Sequence, residues 1–174
     1  VNVGVPDGRG DIMLLTDAGK AIRFNESDVR AMGRTAAGVR GVRLGADQHV
    51  IQCLILGAGD VLTVTENGYG KLTPVDDYPL RGRGGMGVIG IQTSERNGAV
   101  VGAIQVTGDD EVMLITNGGT LVRTRASEIS VLSRNTQGVK LITLAEEESL
   151  VGLARVEMLG EEGDDELEAS SDAD

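Results

Sequence analysis

Residues 111–140 read EVMLITNGGTLVRTRASEISVLSRNTQGVK, and the fold follows from what this stretch repeats. Moved back by 51 residues it lies on 60–89, DVLTVTENGYGKLTPVDDYPLRGRGGMGVI. Moved back by a further 49 it lies on 11–40, DIMLLTDAGKAIRFNESDVRAMGRTAAGVR, with no gap inside the unit. Thr16, Thr65 and Thr116 close a first apolar run, and Gly19, Gly68 and Gly119 follow three residues later. Asp28, Asp77 and Glu128 form an acidic column and Arg34, Arg83 and Arg134 a basic one. Gly38, Gly87 and Gly138 form a second glycine column, each followed by Val39, Val88 or Val139. A period near 50 residues points to a propeller or an array of stacked units.

Each unit reads as β. The first runs (12–16, 61–65, 112–116) are short, apolar and largely β-branched or Leu/Met, which suits strands buried on both faces. T-D-A-G, T-E-N-G and T-N-G-G then supply hairpin turns, because Gly and Asn tolerate positive φ. A second run and a polar loop follow. Third runs are expected at 39–44, 88–93 and 139–144, and fourth runs at 50–56, 100–106 and 150–156. Four short strands make one blade, and a lone blade cannot cover both its faces, so blades must stack. The expected organisation is an all-β, propeller-like array: a last strand and turn at 1–10, blades at 11–56, 57–106 and 107–156, and a tail at 157–174. Residues 1–5, Val-Asn-Val-Gly-Val, resemble a fourth run with nothing before it, so the chain is read as part of a longer one.

Charge divides the chain in two. The net charge is −11, but nine of the 27 acidic residues fall beyond Val156, whereas all 16 Lys and Arg lie between Arg9 and Arg155. The body is therefore close to neutral, and a locally basic edge on it is compatible with that balance. The tail, with no basic residue and no period, is expected to be disordered and to compete weakly, as a tethered polyanion, with any anion that such an edge binds. One cysteine, Cys53, rules out a disulfide framework and reads as a small buried residue of a fourth run. No apolar run approaches the length of a membrane span, so no membrane partner is expected.

Catalytic patterns are scarce. The sole histidine, His49, sits in a polar turn, and there is neither a second His nor a Cys pair to build a transition-metal site. Residues 82–87, GRGGMG, match G-x-G-x-x-G, but a strand follows where a dinucleotide site needs a helix. What the loop does offer is Arg81 and Arg83 among glycines: a close backbone and two planar forks suited to phosphate. An equally simple reading of the arginine column is an ion pair with the acid six residues earlier in the same loop.

These residues also carry a resemblance. DEVMLITNGGTLVRTR at 110–125, NGYGK at 67–71, SRNTQGV at 133–139 and VRAMG at 29–33 resemble the β-pinwheel repeat of the gyrase A C-terminal domain, from bacterial DNA gyrase, and of its topoisomerase IV relative. The resemblance covers residues 1–156. It implies blades of a wheel whose basic rim wraps duplex DNA in support of ATP-dependent negative supercoiling, in the bacterial cytoplasm. It also implies two kinds of partner, the rest of the gyrase A polypeptide and the gyrase B subunit, in an A2B2 enzyme. ATP and Mg2+ would belong to that holoenzyme, with no cofactor in this portion. The family's Q-R-R-G-G-K-G box is absent; its counterpart is 81–87, where Arg83, Gly84, Gly85 and Gly87 match and Met86 replaces Lys. The chain thus looks like later blades of the wheel. The family's catalytic tyrosine has no counterpart in Tyr69 or Tyr78. On this reading Arg34, Arg81, Arg83, Arg134, Arg40 and Lys140 lie along one outer edge and meet DNA phosphates. Basic positions that vary between copies, Ile22/Lys71/Val122 among them, read as solvated edges. A protein-interaction propeller is the competing class, although the chain has no Trp and no G-H…W-D pair.

Overall fold

A computed structural model describes residues 3–156; Val1, Asn2 and the acidic tail lie outside the described residues. Eleven strands run β1 (Asp11–Thr16), β2 (Lys20–Asn25), β3 (Val50–Leu56), β4 (Asp60–Thr65), β5 (Tyr69–Thr73), β6 (Val88–Ile89), β7 (Val100–Val106), β8 (Glu111–Thr116), β9 (Leu121–Arg125), β10 (Val139–Lys140) and β11 (Leu150–Val156). The helical content of the described residues is three one-turn 3-10 helices at Glu26–Asp28, Val75–Asp77 and Ala126–Glu128, one per unit, each holding the acidic column. No helix of the described residues is long and apolar enough to cross a membrane.

The hairpins form where the turn residues require. Gly19, Gly68 and Gly119 adopt φ of 75°, 81° and 84°, and their N–H groups donate to the carbonyls of Thr16, Thr65 and Thr116. That is a three-residue loop closed by a left-handed glycine. The first and fourth runs pair antiparallel, and their register slips at the same place in every unit, beside Thr16, Thr65 and Thr116. A bulge kept three times over is a feature of the unit's design, since bulges bend and re-aim a strand.

The sheets are ordered β3-β1-β2-β6, β10-β5-β4-β7 and β11-β8-β9. This corrects the expectation that one contiguous unit makes one blade. The third run belongs to the sheet of the preceding unit: β6 pairs with β2 (Lys20 with Ile89, Ala21 with Val88), and β10 pairs with β5 (Gly70 with Val139, Tyr69 with Lys140). Each third run is also shorter than expected, two residues long. Residues 39–44 form no strand, for the same reason: among the described residues no earlier second strand exists for them to join. Residues 3–5 are likewise not a strand, and Val3 and Val5 are exposed.

Packing follows the strand alternation. In the middle sheet Val61 faces the first sheet, with Met13, Leu15, Leu54, Tyr78 and Ala103. Leu62 and Val64 face the third, with Leu72, Val106, Val112, Leu114 and Leu150. β4 is therefore buried on both sides, as its unbroken apolar run predicts, whereas β8 in the last sheet alternates. β7 contacts both β3 and β11, so the fourth runs line the inner side of the stack and the third runs its outer edge.

Candidate nucleic-acid interface

Three outer-edge segments follow the 3-10 helices: residues 29–44, 78–93 and 129–144. Together they hold Arg30, Arg34, Arg40, Arg43, Arg81, Arg83, Arg134 and Lys140, eight basic residues, and no Asp or Glu. The acids lie outside these bounds: Asp28, Asp76, Asp77 and Glu128 immediately precede the segments, on the 3-10 helices. Asp17, Asp47, Glu66, Glu95, Glu146, Glu147 and Glu148 occupy the turns at the hairpin end of the sheets. The segments themselves are therefore locally basic, which the net charge of the chain conceals. Arg30 was not singled out from the sequence, because it belongs to no repeated column. The absence of acids from each segment was the signal that could have found it.

The six predicted residues divide into two groups. Arg34, Arg40, Arg81 and Lys140 are exposed. The Arg34 and Arg81 side chains have no hydrogen-bond or ion-pair partner among the described residues. Lys140 lies beside Tyr69, its Nζ 5.8 Å from the ring centre, with the Arg96 guanidinium 4.9 Å away. Arg96 bonded to the Tyr69 hydroxyl holds the phenol below its ordinary pKa, with the Lys140 charge acting in the same direction against the effect of burial.

Arg83 and Arg134 are half-buried and serve the joints between units. Arg83 donates from Nε to the Asp28 carbonyl (2.8 Å) and from Nη1 to the Arg40 carbonyl (3.1 Å). Arg134 donates from Nη1 to the Ile89 carbonyl (2.6 Å), and Ile89 is the counterpart of Arg40. The basic column thus ties each unit to the one before it. Neither arginine pairs with the acid of its own loop among the described residues, which corrects the ion-pair reading.

The glycines near these arginines are also used in docking. Gly87 has φ of 71°, and a Cβ there would stand 2.4 Å from the Ala21 carbonyl oxygen. At Gly138 the same atom would be 2.7 Å from the Gly70 carbonyl oxygen. Gly84 donates its N–H to the Gly41 carbonyl, and Arg43 donates its own to Gly85. The loop backbone therefore packs on the preceding unit, as the Arg83 side chain does, and of the loop's two arginines only the Arg81 side chain is left without a partner among the described residues.

Lys71 departs most from expectation. It is fully buried, where a solvated edge was expected. Its Nζ donates to the carbonyls of Ser133 and Arg134 (2.5 Å each) and to Thr136 Oγ1 (3.0 Å). It therefore pins the loop that carries Arg134. Burial first, and then the Arg134 charge, lower its pKa to about 8. Two further variable cations are paired: Arg23 with Asp11 at 2.8 Å, and Arg123 with Glu111. His49 is an exposed turn residue with Nδ1 2.9 Å from Asp17 Oδ2. Burial acts to raise the Asp17 pKa, but the backbone and ring hydrogen bonds from His49 outweigh it and hold the carboxyl low. Cys53 lies half-buried on β3, and burial pushes its thiol pKa up.

Stacked sheets of four, four and three strands that exchange their outer strands, with basic segments along that edge, define a propeller-like repeat domain. Comparison with known proteins gives the family. The family model for the DNA gyrase C-terminal domain, a β-propeller, matches residues 10–56, 59–107 and 110–157, and the chain belongs to this family. It is 56% identical over 157 residues to the DNA gyrase A protein of Salmonella typhimurium, covering 90% of this chain and 18% of that one. It is 51% identical over 174 residues to the gyrase A protein of Pseudomonas aeruginosa, covering 99% of this chain and 19% of that one. The chain thus spans about a fifth of the length of the curated relatives it matches. A solved DNA gyrase A C-terminal domain superposes with TM-score 0.78 at 30% identity, covering 84% of this chain and 50% of that one. A topoisomerase IV C-terminal domain superposes at 0.84 with 22% identity, covering 90% of this chain and 50% of that one, which shows a shared fold.

Proposed function

We propose that this chain is a DNA-wrapping portion of a gyrase A protein. Duplex DNA is held mainly through its phosphates, by Lys, Arg and backbone N–H groups, without reading of the bases. Bending 20–30 base pairs by 40–90° costs on the order of 1–6 kcal/mol. A row of equivalent basic segments, one per unit, offsets that cost with many weak contacts at regular steps along the curved edge. The observation that carries the reading is the set of eight basic residues and no acids on the three outer segments. Single-strand binding fits less well: it uses aromatic platforms, and the chain has one Phe and two Tyr, with Phe24 and Tyr78 buried.

In this reading the portion supplies no catalytic residue. DNA cleavage, ATP and Mg2+ belong to the rest of the gyrase A polypeptide and to gyrase B, in the bacterial cytoplasm. Identity above 50% to named gyrase A proteins supports gyrase over topoisomerase IV. The test replaces Arg34, Arg40 and Arg81 with Ala in the full-length parent and measures duplex affinity against salt. The log–log salt slope should fall by roughly 0.9 per lost phosphate contact, alike for all sequences. Unchanged affinity in the triple variant would remove the outer edge from DNA binding.

A further inference from the structure

The turns between the third and fourth runs differ at one place. Residues 94–99, SERNGA, are one residue longer than 45–49, GADQH, and 145–149, AEEES, and only the longer turn holds a Lys or Arg. That residue, Arg96, is exposed at the acidic hairpin end, yet it forms no ion pair with an acid among the described residues. Its guanidinium lies 4.9 Å from the ring centre of Tyr69 and bonds the phenol oxygen. Lys140 reaches the same ring from β10, the third-unit strand that pairs with β5, with its Nζ 5.8 Å from the centre.

The longer turn is clamped from both sides. Asn67, in the hairpin loop, donates from Nδ2 to the carbonyls of Glu95 (3.1 Å) and Arg96 (3.2 Å). Asn97 is fully buried; it accepts the Ser94 N–H (2.8 Å) and donates to the carbonyls of Gln92 (2.7 Å) and, across the joint, Gln137 (3.0 Å). Arg96 is thus held in place by residues of two units. The Tyr69 hydroxyl accepts from Arg96, and its own proton meets no acceptor among the described residues. A guanidinium, an ammonium and a phenol O–H therefore converge, two positive charges with no acid between them. Such a donor set complements a phosphate anion, and the ring's attraction for both cations keeps two like charges together. The first joint has no such cluster, because Lys20 stands at the Tyr69 position there and pairs with Ile89.

We propose that Tyr69, Arg96 and Lys140 form a phosphate clip that holds the backbone of duplex DNA at the joint between the second and third units. Arg96 and Lys140 supply the charge. Tyr69 positions both cations and donates its hydroxyl to a phosphate oxygen; with two cations against its ring it is not a platform for stacking bases. The clip extends the footprint from the outer edge, where Lys140 lies, onto the hairpin end, where the surrounding acids would otherwise repel DNA. It rests on the DNA-wrapping reading and adds to it Arg96 and Tyr69, which the basic outer segments do not include.

The test measures duplex affinity against salt in the full-length parent, with unfolding midpoints as the control for folding. Arg96→Ala should lower the log–log salt slope by roughly 0.9, alike for all sequences, and leave the midpoint unchanged. Tyr69→Phe keeps the ring and loses only the hydroxyl. It should weaken binding about threefold to tenfold with the slope unchanged. Tyr69→Thr, which copies the third unit, releases both cations and should weaken binding further. Its effect should shrink by about half or more in an Arg96→Ala background, because the ring acts partly through Arg96. An unchanged slope in Arg96→Ala, or parental affinity in Tyr69→Phe, overturns the proposal. Tighter duplex binding by Arg96→Ala would assign the cluster to an acidic segment of the polypeptide and also overturns it. If the Arg34, Arg40 and Arg81 triple variant keeps its affinity, the wrapping reading itself fails. A weakened triple variant beside an unaffected Arg96→Ala removes the clip alone.

Discussion

At the scale of single residues, a repeated column did not announce its role. The arginine column was legible as a column, but Arg83 and Arg134 use part of their guanidinium groups on backbone carbonyls of the preceding unit. A backbone acceptor leaves no trace in sequence, so an ion pair with the nearby acid looked equally good. Lys71 was misread for a related reason: a lone Lys where its counterparts are Ile22 and Val122 reads as an edge, and only the fold shows three oxygens converging on it. Its titration gives a prediction. The pKa falls from 10.5 to about 8 on folding, so between those values the unfolded chain holds a proton that the folded chain has lost. Stability should therefore rise with pH across that window, by at most about 1.4 kcal/mol per pH unit, and be flat with respect to this group below it. Denaturant unfolding of the parent and of Lys71→Met between pH 7 and 10.5 should show a steeper rise in the parent. Parallel pH profiles would assign the titration to another group.

At the scale of elements, the fourth runs were read with their bounds, because 50–56, 100–106 and 150–156 are apolar runs set off by turns. The third runs were not. Their apolar pattern says strand, but a pattern does not specify which sheet edge the strand joins. The glycine columns hold the answer in retrospect, since Gly19, Gly68, Gly87 and Gly138 each mark a close approach of two units. Gly19 and Gly119 separate backbone conformation from docking. Both have positive φ, but a Cβ on Gly19 would lie 2.2 Å from the Ile91 carbonyl oxygen, while one on Gly119 would meet nothing within 4 Å. Gly119→Ala should cost about 1 kcal/mol, the ordinary penalty for a left-handed L-residue. Gly19→Ala must also push the second unit away, and should cost about 3 kcal/mol or more. It should speed exchange of the Gly90 and Ile91 amides, which both donate to the Gly19 carbonyl. Equal costs for the two variants would show that the joint yields without strain.

At the scale of the whole molecule, strand exchange makes each joint part of two units, so the DNA binding proposed for the outer edge and the stability of the stack share residues. Period, all-β class and the basic loops were legible because each is written within one unit; the exchange was not, since it is a relation between units. Arg81 and Arg83 test how the shared residues divide their roles. Arg81 has an exposed side chain with no partner among the described residues, whereas Arg83 holds Asp28 and Arg40 of the unit before it. Arg81→Ala in the full-length parent should lower the salt slope of duplex binding by roughly 0.9 and leave the unfolding midpoint unchanged. Arg83→Ala should destabilise the stack by about 2 kcal/mol, because two carbonyls lose a charged donor. Its effect on DNA binding should exceed one lost contact, since the loop that presents Arg81 and the segment that presents Arg40 are no longer held together. In Arg83→Lys a single ammonium cannot span both carbonyls as the planar fork does, so affinity should recover further than stability. Recovery of both together would make charge alone the determinant at this position. Recovery of neither would make Arg83 a joint residue whose influence on DNA runs entirely through the fold.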